Sequence, residues 1–172
     1  MSLAAIVVMG VSGSGKTTIG TLLAGRLGWP FEDGDGFHPA SNVAKMSAGT
    51  PLTDEDRRPW LRAIAARIGE ARAAGAPVVI GCSALKRAYR DVLRDGHADL
   101  RFLHLTGAPE LIMARQAART GHFMPASLLA SQFATLEPPG AEGDVIDLDV
   151  GPEPPAVVAE AVLALRRRGD IA

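Results

Sequence analysis

The chain has 172 residues, 47% of them hydrophobic, which suits one domain with a sizeable core and excludes a disordered polymer. Its formal net charge is -1, so the surface as a whole offers no broad attraction to nucleic acid or to an anionic membrane. Cys82 is the only cysteine, which rules out an intrachain disulfide and a cysteine zinc cluster. The opening residues show no secretory pattern and no apolar run reaches membrane-spanning length, so the cytoplasm is the expected compartment.

Strand and helix patterns alternate along the chain. Residues 3–9 form an apolar run that reads as a buried strand. Residues 17–27 place Ile19, Leu22, Leu23 and Leu27 on one helical face. A short second strand follows at 30–33 and ends in Gly34-Asp35-Gly36. Residues 40–48 read as a short helix closed by Gly49 and Pro51. Thr53-Asp54-Glu55-Asp56 has the form of a capping box, and Leu61, Ile64, Ile68 and Ala71 continue at helical spacing until Gly75. Residues 77–82 are apolar and β-branched, the pattern of a central strand. Further helices are expected at 86–94, 109–119, 127–136 and 155–168, and further strands at 100–105 and 145–150. Five strands with helices between them predict a parallel α/β sheet covered on both faces, with ligands beyond the carboxyl ends of the strands.

One loop carries specific chemistry. Gly10-Val11-Ser12-Gly13-Ser14-Gly15-Lys16-Thr17 fits the phosphate-loop pattern G-x-x-x-x-G-K-[ST], between a strand and a helix as that chemistry requires. Glycines let the backbone curl around phosphates, and the N–H groups at the helix start face the anion. Residues 10–18, Thr18 included, are therefore the expected site for the ATP phosphates. Lys16 would reach the β- and γ-phosphates, and Thr17 would ligate Mg²⁺.

Other residues gain meaning beside that loop. Asp33 and Asp35, with His38, would meet it at the carboxyl edge of the sheet. An Asp there can accept a substrate hydroxyl proton or hold Mg²⁺ through water, and the pattern leaves open which of the two stands nearer the metal. Arg57 begins a helix, where the dipole does not favour a cation, so a carboxylate or phosphate partner is expected for it or for Arg58. No acidic residue follows the strand at 77–82. Lys86 and Arg90 beyond it could bind an anionic substrate, and Cys82 reads as a small buried apolar side chain. Arg115, Arg119 and the segment from Gly121 to Pro125 read as a helix leading into a lid, around residues 115–127, whose arginines would neutralise a transferring phosphoryl group.

Together these segments resemble the gluconate kinases (gluconokinases), in the nucleoside-monophosphate-kinase branch of phosphate-loop folds. The resemblance rests on Met9 to Lys16, Asp33-Gly34-Asp35 with His38-Pro39 and Asn42, and Lys45-Met46. It continues through Gly49 to Asp54, Asp56-Arg57 and Pro59-Trp60-Leu61, then Cys82 to Lys86 with Tyr89-Arg90-Asp91. Gly121 to Met124, Ser131-Gln132-Phe133 and Leu136-Glu137-Pro138 complete it. It implies a single domain with the three-layer P-loop NTP hydrolase fold, a five-stranded parallel sheet and a small lid. It also implies Mg-dependent transfer of the ATP γ-phosphate to the 6-hydroxyl of D-gluconate, feeding carbohydrate catabolism. By position, Lys16, Asp35, Arg115 and Arg119 would be catalytic, with Asp35 orienting or deprotonating the hydroxyl. His38, Arg57, Lys86, Arg90 and His122 would contact gluconate, and the loop after Val150 would approach adenine. A homodimer is compatible with the resemblance. The competing readings are a shikimate-like or nucleotide kinase and a non-catalytic ATP-binding module.

Overall fold

The computed structural model describes residues 2–118 and 126–172. The first strand, β1 (Ala5–Met9), is apolar on both faces and all five residues are buried, the composition a parallel sheet needs at its centre. β3 (Val78–Gly81) and β4 (Leu100–Thr106) flank it, and β2 (Phe31–Asp33) and β5 (Val145–Asp149) form the edges, giving the parallel order β2-β3-β1-β4-β5. The strand predicted to be central, at 77–82, is thus interior but one place from the middle.

Strand periodicity divides the core in two. Ala5, Val7 and Met9 project to one face with Ile80 and Phe102. That face is covered by α3 (Asp54–Ala74), through Trp60, Leu61, Ile64 and Ile68, and by α4 (Arg87–Arg94), through Tyr89 and Leu93. Ile6 and Val8 project to the other face with Val79 and Leu103. There α1 (Lys16–Leu27) contributes Ile19, Leu23 and Ala24, and α7 (Pro154–Arg167) contributes Val157, Val158, Ala161, Val162 and Leu165. The expected inward face of α1 needs one correction. Leu22 is 41% exposed, and Gly20 and Ala24 are buried in its place. Gly20 lies against the Phe31 ring so tightly that a Cβ there would sit 2.4 Å from the ring, so β2 sets that face.

Local signals end and begin these helices as their residue types dictate. Thr53 caps α3 by accepting from Asp56 N at 3.1 Å, while the Asp56 carboxylate accepts from Thr53 N at 2.9 Å, completing the capping box. Gly75 then closes α3 in the left-handed region. A 3-10 turn, Gly34–Phe37, and α2 (Ala40–Ser47) carry the chain from β2 toward α3. α5 (Pro109–Ala118) and α6 (Ala126–Thr135) lie between β4 and β5, on either side of residues 119–125. Arg119, His122 and most of the expected lid fall outside the described residues. Among the described residues, no helix is long and apolar enough to cross a membrane.

Candidate active site

The loop between β1 and α1 lies at the carboxyl edge of the sheet. Gly10, Gly13 and Gly15 all have positive φ, and Gly10 and Gly13 are also closely packed. A Cβ on Gly10 would lie 2.8 Å from Ser14 Oγ, and one on Gly13 would lie 2.9 Å from Gln116 Oε1. The α1 N-terminus has no side-chain cap and no acidic residue in its first turn, so its N–H groups are left for an outside anion. Ser14 Oγ, inside the loop, is buried with no hydrogen-bond partner among the described residues. Lys16 lies over the loop and donates to Gly10 O at 3.1 Å and Val11 O at 3.0 Å. This donor-rich concavity fits the phosphates of a nucleotide.

A cleft of about 230 Å³ runs from this loop toward α3. Lys16, Thr17, Asp33, Asp35, His38 and Arg57 line it, with Trp60, Ser83 and Gln132. Asp33 caps the 3-10 turn by accepting from Asp35 N at 2.9 Å, and its other oxygen lies 3.5 Å from Thr17 Oγ1. The turn can lie against β3 only because residue 34 is glycine, whose Cβ would otherwise be 2.2 Å from Gly81 O. Thr17 and Asp33 supply hard oxygen donors at one point of the wall. These donors fit a magnesium ion that takes its remaining ligands from phosphate and water.

The opposite wall is cationic and aromatic. His38 stacks on Trp60, with ring centroids 4.1 Å apart and an interplanar angle of 15°. Burial, with the Arg57 cation adding to it, lowers the His38 pKa to about 4, so the ring is neutral near pH 7. Arg57 donates to Tyr89 Oη at 2.9 Å, and Tyr89 donates in turn to Asp54. Lys86 also binds Asp54, at 3.0 Å, so it sits in this cluster at the rim and does not line the cleft.

Two expected site residues are engaged elsewhere. Arg90 is fully buried, donates to Ala84 O, Glu137 O and both Glu142 oxygens, and does not line the cleft. Its partners lie up to 52 residues away in sequence, which is why its charge looked available. Arg115 donates to Val150 O at 2.7 Å and lines a second hollow, beside Gly13, Thr18, Pro152 and the start of α7. Cys82 is buried as expected, and burial pushes its thiol up to about 12, so it is no nucleophile.

Sequence reasoning gave no role to Gln132 or Gln116, yet both brace the phosphate loop. Gln132 accepts from Ser12 N at 2.7 Å, and Gln116 Oε1 accepts from Ser12 Oγ at 3.2 Å. For Gln132 the signal was the polar pair Ser131-Gln132 after Leu128-Leu129; Gln116 had none.

A family profile described as an AAA domain matches residues 6–139. With a phosphate loop opening on a cleft lined by carboxylates and an arginine, that defines the class: a phosphate-loop kinase. A gluconokinase of Gluconobacter oxydans (strain 621H) is 51% identical over 158 residues, which span 92% of this chain and 88% of that protein. The thermosensitive gluconokinase of Escherichia coli (strain K12) is 47% identical over 94% of this chain and 88% of its own. A solved gluconokinase from Sinorhizobium meliloti 1021 superposes with a TM-score of 0.86 at 49% identity, covering 95% of this chain and 91% of that one. The chain belongs to the gluconokinase family.

Proposed function

We propose that this enzyme transfers the γ-phosphoryl group of ATP to the 6-hydroxyl of D-gluconate, giving 6-phospho-D-gluconate and ADP. The observation that carries the reading is that the phosphate loop and the Asp33, Asp35, His38 and Arg57 side chains share one cleft. Bound Mg-ATP supplies the electrophilic phosphoryl group and a cation to spread its charge. The chain does the rest. Lys16 and the uncapped α1 N-terminus hold phosphate, Thr17 and Asp33 hold the magnesium, and Gln116 and Gln132 keep the loop in shape. Asp35 accepts the proton from the attacking hydroxyl, with positioning of the hydroxyl contributing more than the proton transfer. Arg57 attracts the gluconate carboxylate, and His38 with Trp60 forms the wall along its hydroxyls. Arg115, tied to the loop after β5, borders the nucleotide. A cytoplasmic enzyme agrees with a chain that has one cysteine and uses ATP, and a homodimer is compatible with this reading.

The test is ADP release with Mg-ATP and separate acceptors: D-gluconate, shikimate, glucose and AMP. Turnover with gluconate alone is expected. Turnover with a different acceptor would keep the kinase and overturn the substrate. ATP binding with no turnover on any acceptor would make the chain a binding module.

A further inference from the structure

Asn42, on α2, is only 2% exposed. Its amide nitrogen donates to Asp56 O at 2.8 Å and meets His38 Nδ1 at 3.1 Å. A main-chain carbonyl can only accept, so the first bond fixes which end of the amide is nitrogen. The same –NH₂ group then faces Nδ1, and Nδ1 must accept. A neutral imidazole that accepts at Nδ1 carries its proton on Nε2. The ring has little freedom to turn. Trp60 stacks on it and is itself anchored by Nε1 donating to Gly34 O at 2.8 Å. His38 lines the cleft, and among the described residues Nε2 has no partner.

We infer that Asn42 locks His38 in the Nε2–H tautomer, so that His38 is a specificity-determining hydrogen-bond donor to a substrate oxygen and Asn42 is its positioning residue. The substrate half of this inference rests on the proposed gluconate reading of the cleft. A fixed neutral donor complements the lone pairs of a polyol hydroxyl or a carboxylate. It cannot take the proton of the attacking hydroxyl, because accepting at Nε2 would require moving the existing proton to Nδ1, against the Asn42 N–H. That leaves proton acceptance to the cleft's carboxylates, Asp33 and Asp35, of which Asp35 carries it in the reading proposed above. Protonation to imidazolium meets the same obstacle at Nδ1, and the low His38 pKa agrees with it. Among the described residues, the Arg57 cation of α3 faces the ring and opposes protonation, and the Asp35 carboxylate, on the turn that precedes α2, lines the same cleft.

Long-range ¹H–¹⁵N correlation of the histidine-labelled protein without ligand reads the tautomer directly, with His38→Gln identifying the resonance. A pure Nε2–H pattern near neutral pH is expected; an Nδ1–H pattern, or an averaged mixture, overturns the lock. Asn42→Asp then places an acceptor against Nδ1 and reverses the tautomer. We expect the gluconate KM to rise about tenfold, the effect of one lost hydrogen bond to a substrate oxygen, with a much smaller change in kcat and in the ATP KM. An unchanged gluconate KM in a variant whose tautomer has reversed overturns the specificity role. If Asn42→Asp does not fold, His38→Gln and His38→Glu replace it: the donor-bearing Gln should bind gluconate better than Glu, and the opposite order overturns the role. Failure of the gluconate reading is separately visible, because wild-type protein would then show the Nε2–H pattern and no turnover on gluconate.

Discussion

The Lys16 ammonium donates to two carbonyls of the loop that carries it, Gly10 O and Val11 O. Lys16→Ala should lower kcat by about 10³-fold or more while the chain still folds, because the interaction that matters for rate is with phosphate. A folded variant with near-normal kcat would contradict the phosphate-loop assignment. Asp35→Asn keeps the shape of the side chain and removes its basicity. The expected result is a kcat lowered about 10²–10⁴-fold with a gluconate KM within a few-fold, and equal loss in both would make Asp35 a binding residue only. Arg57→Ala should raise the gluconate KM about tenfold or more and leave the ATP KM alone, measured by initial rates at varied concentrations of each substrate. Residues of this kind were legible in the sequence when their chemistry is local: Gly10 to Thr17 and Asp33 to His38 each form a continuous segment with its own turn geometry. The ion pairs of Arg90 with Glu142 and of Lys86 with Asp54 were not legible there, because these carboxylates come from distant segments that no spacing rule connects.

At the scale of elements, the turn after β2 is held by the close approach of Gly34 to β3. Gly34→Ala would push a methyl group into the Gly81 carbonyl, and the backbone would have to move. Since Asp33 and Asp35 ride on that turn, we expect kcat/KM to fall by about 10²-fold or more together with a lower melting temperature. A variant with wild-type rates would show that the turn does not need this contact. The segment after α6 is held differently, through Arg90 and Arg94 on Glu142. Hydrogen bonding from Arg90, then Arg94, lowers the Glu142 pKa from 4.5 to about 2. A depressed folded pKa stabilises above the unfolded value, so this contribution is complete above about pH 4.5 and lost as the pH falls toward about 2. Glu142→Gln leaves Arg90 buried beside a neutral partner. It should lower the neutral-pH melting temperature by roughly 10 °C and flatten the acid limb of the stability profile, read by thermal melts across pH. Element types and most boundaries followed from periodicity and punctuation. Leu22 did not, because the burial of Gly20 in its place is decided by Phe31 of another strand.

Over the whole molecule, the sequence pattern required a parallel sheet with helices on both faces. It could not order the strands, since nothing local says that β3 and β4, rather than β2, flank β1. That order places the loops after β1, β2 and β3 side by side, which is how Lys16, Asp33, Asp35 and Ser83 come to share one cleft. Because the cleft spans elements from both core clusters, ligand should stabilise the entire fold. At a hundred times its dissociation constant, gluconate or Mg-ATP should add about 2.7 kcal/mol and raise the melting temperature by roughly 5–10 °C, seen by calorimetry. No shift with gluconate, where Mg-ATP gives one, would place the acceptor elsewhere. The central claim is narrower than binding, and one measurement meets it: ³¹P–¹H correlation of the product formed from Mg-ATP and D-gluconate. The account predicts a single phosphomonoester coupled to the two protons of the C6 methylene, and a phosphate on any other carbon, or none, would contradict it.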